Sequence, residues 1–115
     1  MKSLHNLFNP LYAMTNQELA NKLGEYIKER RLMMRLTQQE FADKVGVTRG
    51  QIVKIEKEGK TSAITLLAIA RVFDVLNPFF EIFETPKLTL EEEFALEERK
   101  QKMINRKPKR IRKNG

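Results

Sequence analysis

Apolar positions along this chain recur at helical spacing, and hydroxyl caps punctuate them at short intervals. Thr15-Asn-Gln-Glu18 is a capping box: the threonine hydroxyl accepts from the third helical N–H and the glutamate reaches back to the threonine N–H. It predicts a helix from about Asn16 to Arg35, with Leu19, Leu23, Ile27 and Met34 near one face. Thr37-Gln-Gln-Glu40 opens a short helix, Gln38 to Val45, which Gly46 ends as a left-handed cap. Thr48 caps the next helix, running to about Lys57 with Gly59 as its stop. Ser62 caps a fourth helix to Phe73, with Leu66, Leu67, Ile69, Ala70 and Phe73 apolar. Asn77-Pro78 reads as an N-cap with proline at the first helical position, starting a short apolar helix from Phe79 to Phe83. After the break at Thr85-Pro86, Thr89-Leu-Glu-Glu92 opens a last helix, Leu90 to about Ile104, whose apolar stripe is thin.

Ahead of these helices, Leu4, Leu7, Phe8, Leu11 and Tyr12 have helical spacing, but Pro10 interrupts them, which predicts a short arm. The expected organisation is an arm over 1–15, an all-α domain over 16–84, and an acidic-to-basic extension over 85–115. Pro108 and the surrounding Lys and Arg are expected to be disordered on compositional grounds.

Two short helices joined by a glycine-containing turn have the geometry of a DNA-binding helix-turn-helix. Here they are Gln38–Val45 and Thr48–Lys57, joined through Gly46-Val47. Phe41, Ala42 and Val45 fall on the inner face of the first helix, and Val47, Ile52 and Ile55 on that of the second. Arg49, Gly50, Gln51, Val53 and Lys54 are left facing outward near the start of the second helix.

Over residues 23–73, LGEYIKERRLMMRLTQQEFADKVGVTRGQIVKIEKEGKTSAITLLAIARVF, the sequence resembles the Xre-type helix-turn-helix family, which includes the Cro and CI phage repressors. Leu-Gly in the first helix, Arg30-Arg31, Leu-Thr-Gln, Phe-Ala, Val-Gly-Val-Thr, the Ile…Ile-Glu end and a Ser-capped fourth helix occur in the family's order. The resemblance implies an all-α, five-helix, lambda-repressor-like domain that binds double-stranded DNA. It places Arg49, Gly50, Gln51 and Lys54 over the bases, where arginine pairs with guanine and glutamine with adenine. It places Gln38, Thr48, Lys57 and Lys60 at phosphates, and makes Arg31 and Glu56 a structural ion pair. Gly50 departs from the family's usual polar residue, so one base contact is expected to be missing, and Glu58 stands where the family's glycine usually falls.

Charge refines this picture. Residues 99–115 hold nine Lys or Arg and no acid, while residues 76–98 hold one basic and seven acidic residues. The central stretch 23–75, with ten basic and seven acidic residues, is mildly basic. A tail of this kind adds salt-sensitive, sequence-independent affinity for a polyanion.

The same charges leave enzymes without support. The chain has no cysteine and a single histidine, His5, so neither thiolate metal sites nor the usual nucleophile–base pairs are available. The acids Glu91–Glu93 are adjacent in a helix and diverge. No catalytic residue, metal or cofactor is expected. No stretch approaches the ~18 apolar residues of a membrane span, and the absence of cysteine fits a reducing cytoplasm.

The primary expectation is a cytoplasmic, bacterial or phage-encoded transcriptional repressor, dimeric on a pseudo-palindromic operator. Phe79, Phe80, Ile82 and Phe83, with help from Leu4, Phe8 and Leu11, are the candidate dimer seam. The alternative comes from the segment after Asn77, which resembles HipB-like members of the family. Those proteins are antitoxins that bind a kinase-like toxin and repress their own operon.

Overall fold

Thr15 Oγ1 accepts from the Glu18 N–H at 3.1 Å, and Glu18 accepts from the Thr15 N–H at 2.8 Å. The same reciprocal box closes at Thr37 with Glu40, at Thr48 with Gln51 and at Thr89 with Glu92. Ser62 accepts from the Thr65 N–H at 3.1 Å without a returning acid. These local bonds satisfy N–H groups that the first turn of a helix leaves without an acceptor, so each of these five helices starts where its sequence signal lies.

The structure, a computed structural model, describes residues 8–106. A 3-10 turn at Pro10–Ala13, capped by Asn9, precedes α1 (Asn16–Met33), α2 (Gln38–Val45), α3 (Arg49–Glu58), α4 (Ala63–Val72), α5 (Leu76–Glu81) and α6 (Leu90–Arg106). The fold is all-helical, with no strand among the described residues. His5, Leu4, Leu7 and the tail around Pro108 lie outside the described residues.

The described residues fall into two compact units, one ending at Ile82 and the other starting at Phe83. In the first, α1 packs on α3, α2 on α3 and α4, and α4 on α5. Its core is Ile27, Phe41, Ala42, Val45, Ile52, Ile55 and Ile69, with Leu36, Val47, Leu66, Ala68, Val72 and Phe73 packed against it. Phe41 stacks on Phe73 with ring centroids 5.3 Å apart. In the second unit, every described residue of α6 whose side chain is placed is exposed.

Three expectations are corrected. Helix α1 stops at Met33 rather than Arg35, because Arg35 turns into the left-handed region at φ 60°. The Leu36 N–H then bonds the Arg31 carbonyl and the Arg35 N–H the Leu32 carbonyl, closing the helix end as a Schellman turn.

Helix α5 starts at Leu76, not Phe79, and ends at Glu81. Asp74, at φ 58°, ends α4 in the same manner as Arg35 ends α1, and the chain re-enters helix at Leu76 with Val75 as an N-cap that makes no side-chain bond. Pro78 is thereby the third helical residue, still within the turn whose N–H groups need no intrahelical acceptor.

The buried face of α1 is Gly24, Ile27 and Arg31, while Leu23 and Met34 are exposed. A methyl group built on Gly24 would overlap the carbonyl oxygens of Ile55 and Glu56, so α1 meets α3 backbone to backbone at this point. Gly59 makes the second such approach: it is left-handed at φ 69° and lies against the backbone of Ala20. These two approaches bring α1 against the C-terminal turn of α3 and decide which face of α1 is covered.

Candidate nucleic-acid interface

The turn between α2 and α3 is made by Gly46 at φ 93°, ψ 30°, followed by half-buried Val47 and the cap residue Thr48. The Gly46 and Val47 N–H groups both bond the Ala42 carbonyl, at 2.8 and 3.0 Å. Two helices separated by so short a turn cross steeply. Ala42, fully buried, gives the crossing a small side chain. Ile52, Ile55 and Glu56 hold the inner face of α3.

Glu56 is an acid inside the core, and its surroundings explain why. Arg31 Nε donates to Glu56 Oε2 at 2.6 Å and Arg31 Nη2 donates to Oε1 at 3.0 Å, a bidentate pair with side chains only 6% and 4% exposed. Arg31 Nη1 donates to the Leu36 carbonyl at 2.8 Å, and Gln38 Nε2 donates to Glu56 Oε1 at 3.1 Å. One network therefore ties α1, the turn after it, the first residue of α2 and the last turn of α3. Gln17 Nε2 adds a bond to the Glu58 carbonyl at 3.1 Å, fastening the end of α3 to α1 from the other side. The attraction within a buried pair of this kind is largely offset by the cost of taking both charges out of water.

With Glu56 paired inside and Glu58 set 3.6 Å from Lys60 in an exposed pair, the outward charges of α3 are Arg49, Lys54 and Lys57. Arg49, Gly50, Gln51, Val53 and Lys54 are all exposed, as their spacing predicts. Gln51 has a second role that periodicity does not reveal. Its Oε1 accepts from the Thr48 N–H at 2.9 Å and lies 3.2 Å from the Thr48 hydroxyl, so its carbonyl belongs to the cap. Recognition of adenine through both amide groups requires that box to open, whereas Nε2 can donate to a base with the box closed.

Gln38 is half-buried, its side chain bonded to Glu56, while its backbone N–H lies in the first turn of α2. Thr48 Oγ1 accepts from the Gln51 N–H at 3.1 Å. Lys57 and Lys60 are exposed. The bridging side chains of Gln38 and Gln17 have no signature in hydrophobic periodicity, because both act across elements distant in the chain.

Residues 27–76 match the family model described as Helix-turn-helix. The chain carries an Xre-type helix-turn-helix domain. No curated protein matches the chain. The match spans α2 and α3 together with Arg31, Gln38 and Glu56 of the network that orients them. A domain of this type supports a DNA-binding transcription regulator. Among the described residues no helix is long and apolar enough to cross a membrane.

Proposed function

We propose that the protein is a repressor that reads a pseudo-palindromic operator as a homodimer, with α3 of each copy in the major groove. The observation that carries this reading is the outer face of α3. Arg49, Lys54 and Lys57 project from it, and the acids of the same helix are held by Arg31 and Lys60. Arg49, Gln51 and Lys54 contact bases. Thr48, Lys57, Lys60 and the Gln38 N–H lie toward phosphates, which helix N-termini favour.

A single α3 covers too few base pairs for specificity, and proteins of this geometry read half-sites about one helical turn apart, ~34 Å. Phe79 stacks edge-on against Phe80 with centroids 5.5 Å apart, at the end of the first unit. Phe80 and Ile82 are exposed there, and Phe83, exposed at the start of the second unit, extends the apolar run. These residues are the proposed seam.

The test compares variants on a selected operator and on random DNA. Arg49→Ala weakens operator binding by roughly 1–3 kcal/mol per half-site and relaxes choice at one base pair. Lys60→Ala weakens both DNAs alike. In sedimentation, wild type is expected to run as a dimer and Ile82→Glu as a monomer. Equal losses for Arg49→Ala on both DNAs, or a wild-type monomer on and off DNA, defeat the reading.

A second reading, the antitoxin, is favoured by the second unit, where Leu88, Leu90 and Phe94 are exposed. In it, this stretch binds a kinase-like toxin while the first unit represses the operon. Leu90→Glu/Phe94→Glu would then abolish a complex with the co-expressed kinase-like protein and leave operator binding intact. An undiminished complex rejects the assignment.

A further inference from the structure

Three of the four glycines in residues 24–59 are demanded by the fold. Gly24 and Gly59 lie against backbone that leaves no room for a methyl, and Gly46 sits at φ 93°. Gly50 is different. It is helical with no positive φ, and the nearest heavy atom to a Cβ built there is Thr48 Oγ1 at 3.9 Å. Nothing among the described residues excludes a side chain at this position, yet glycine is the poorest helix former after proline. The fold gains nothing from it. A glycine in a helix also serves where the backbone must let a partner come close. Gly50 lies on the outer face of α3 between Arg49 and Gln51.

Val53 lies three residues on, and positions three apart are neighbours on a helix surface. It is 38% exposed and is the one apolar residue among the outward residues Arg49, Gly50, Gln51, Val53 and Lys54. Its β-branched side chain is stiff, and its i+3 spacing puts it on the same helix face as the bare backbone of Gly50. The space beside Gly50 is bounded by aliphatic Val53 and by Cα–H, and the polar side-chain atom nearest to it, Thr48 Oγ1, is already committed to its bonds with Gln51. Every polar base edge in the major groove would lose hydration there without a replacement. The one apolar feature those edges present is the C5-methyl of thymine.

We infer that Gly50 and Val53 form a seat for a pyrimidine C5-methyl, supplied by thymine, at one position of each half-site. This rests on the reading that α3 faces the major groove. Arg49 and Lys54 flank the seat and fix its register through their own contacts. The polar base contact that glycine forfeits is thereby replaced by an apolar one.

The experiment uses the full chain and a duplex enriched by it from a random library. Each thymine is replaced in turn by deoxyuridine, which removes the methyl and leaves the hydrogen-bonding edge intact. At one thymine per half-site, wild type loses about fourfold in affinity, the effect of one buried methyl-sized group. Gly50→Ala melts about 2–8 °C higher than wild type, because alanine restricts the unfolded chain and fits the helix. It binds the thymine duplex more weakly and recovers on the deoxyuridine duplex, where the methyl added to the protein takes the room of the methyl removed from the DNA. Val53→Thr keeps the shape, polarises that side of the seat and narrows the thymine–deoxyuridine difference.

Gly50→Ala binding the thymine duplex as tightly as wild type overturns the inference, as does indifference to deoxyuridine at every position. Tightening only when a cytosine is methylated overturns the assignment to thymine. If wild type enriches no duplex, the major-groove reading itself fails. An enriched duplex with indifferent thymines fails the methyl seat alone.

Discussion

Replacing Glu56 by alanine leaves the Arg31 guanidinium with its Leu36 carbonyl bond and without its carboxylate, in a site where both side chains are almost fully covered. Three bonds disappear together: two from Arg31, at 2.6 and 3.0 Å, and one from Gln38 at 3.1 Å. Losing one partner of a buried pair costs about 3–5 kcal/mol, because the remaining charge stays out of water without compensation. Small domains have only about 5–15 kcal/mol of stability in total. At about 4–8 °C per kcal/mol for a domain of this size, the melting temperature falls by at least ~12 °C. Urea denaturation should show a lower midpoint with an unchanged m-value, since the surface exposed on unfolding hardly alters. The deficit should persist at 1 M salt, where exposed pairs are screened. The double variant Arg31→Met/Glu56→Leu removes both charges and recovers most or all of the loss, because the pair's attraction is largely offset by its desolvation. A loss below ~1 kcal/mol for Glu56→Ala is the behaviour of a surface pair and would refute the reasoning. So would a double variant no more stable than the single one.

Gly24→Ala should destabilise the domain by about 1–3 kcal/mol although alanine is the better helix former, because its methyl meets the carbonyls of α3; a melting temperature at or above wild type would contradict the close approach. Gly59→Ala should cost more, since strain at φ 69° adds to the overlap with Ala20; parallel thermal melts of the two variants give the comparison. Truncation after Glu98 removes nine positive charges, and should flatten the plot of log affinity against log salt by ~0.9 for each phosphate no longer neutralised, while leaving operator preference intact. An unchanged slope would mean that the tail does not touch DNA.

Helix starts were legible in the sequence because capping is local. Thr15 with Glu18, Thr37 with Glu40 and Thr89 with Glu92 each need only three residues of chain to close their bonds. Gly46 and Gly59 likewise marked helix ends, since glycine takes left-handed backbone without the steric cost of a Cβ. The inner faces of α2 and α3 followed from periodicity, as Phe41, Ala42, Val45, Ile52 and Ile55 are apolar and buried. Arg49, Gly50, Gln51, Val53 and Lys54 followed by elimination.

The face of α1 did not follow. Its buried stripe contains a glycine and an arginine, and hydrophobic spacing counts neither. Gly24 is covered because another backbone lies on it, and Arg31 because Glu56, 25 residues away, neutralises it. The start of α5 depended on the Val75 N–H reaching back to Ala70, and the role of Gln38 on a carboxylate from α3. The open space at Gly50 could be recognised only by placing a methyl there and finding nothing in the way. Local bonds form between residues the chain already holds together. Long-range packing decides which side chains lose water and which backbones touch, and that depends on distances no single segment contains.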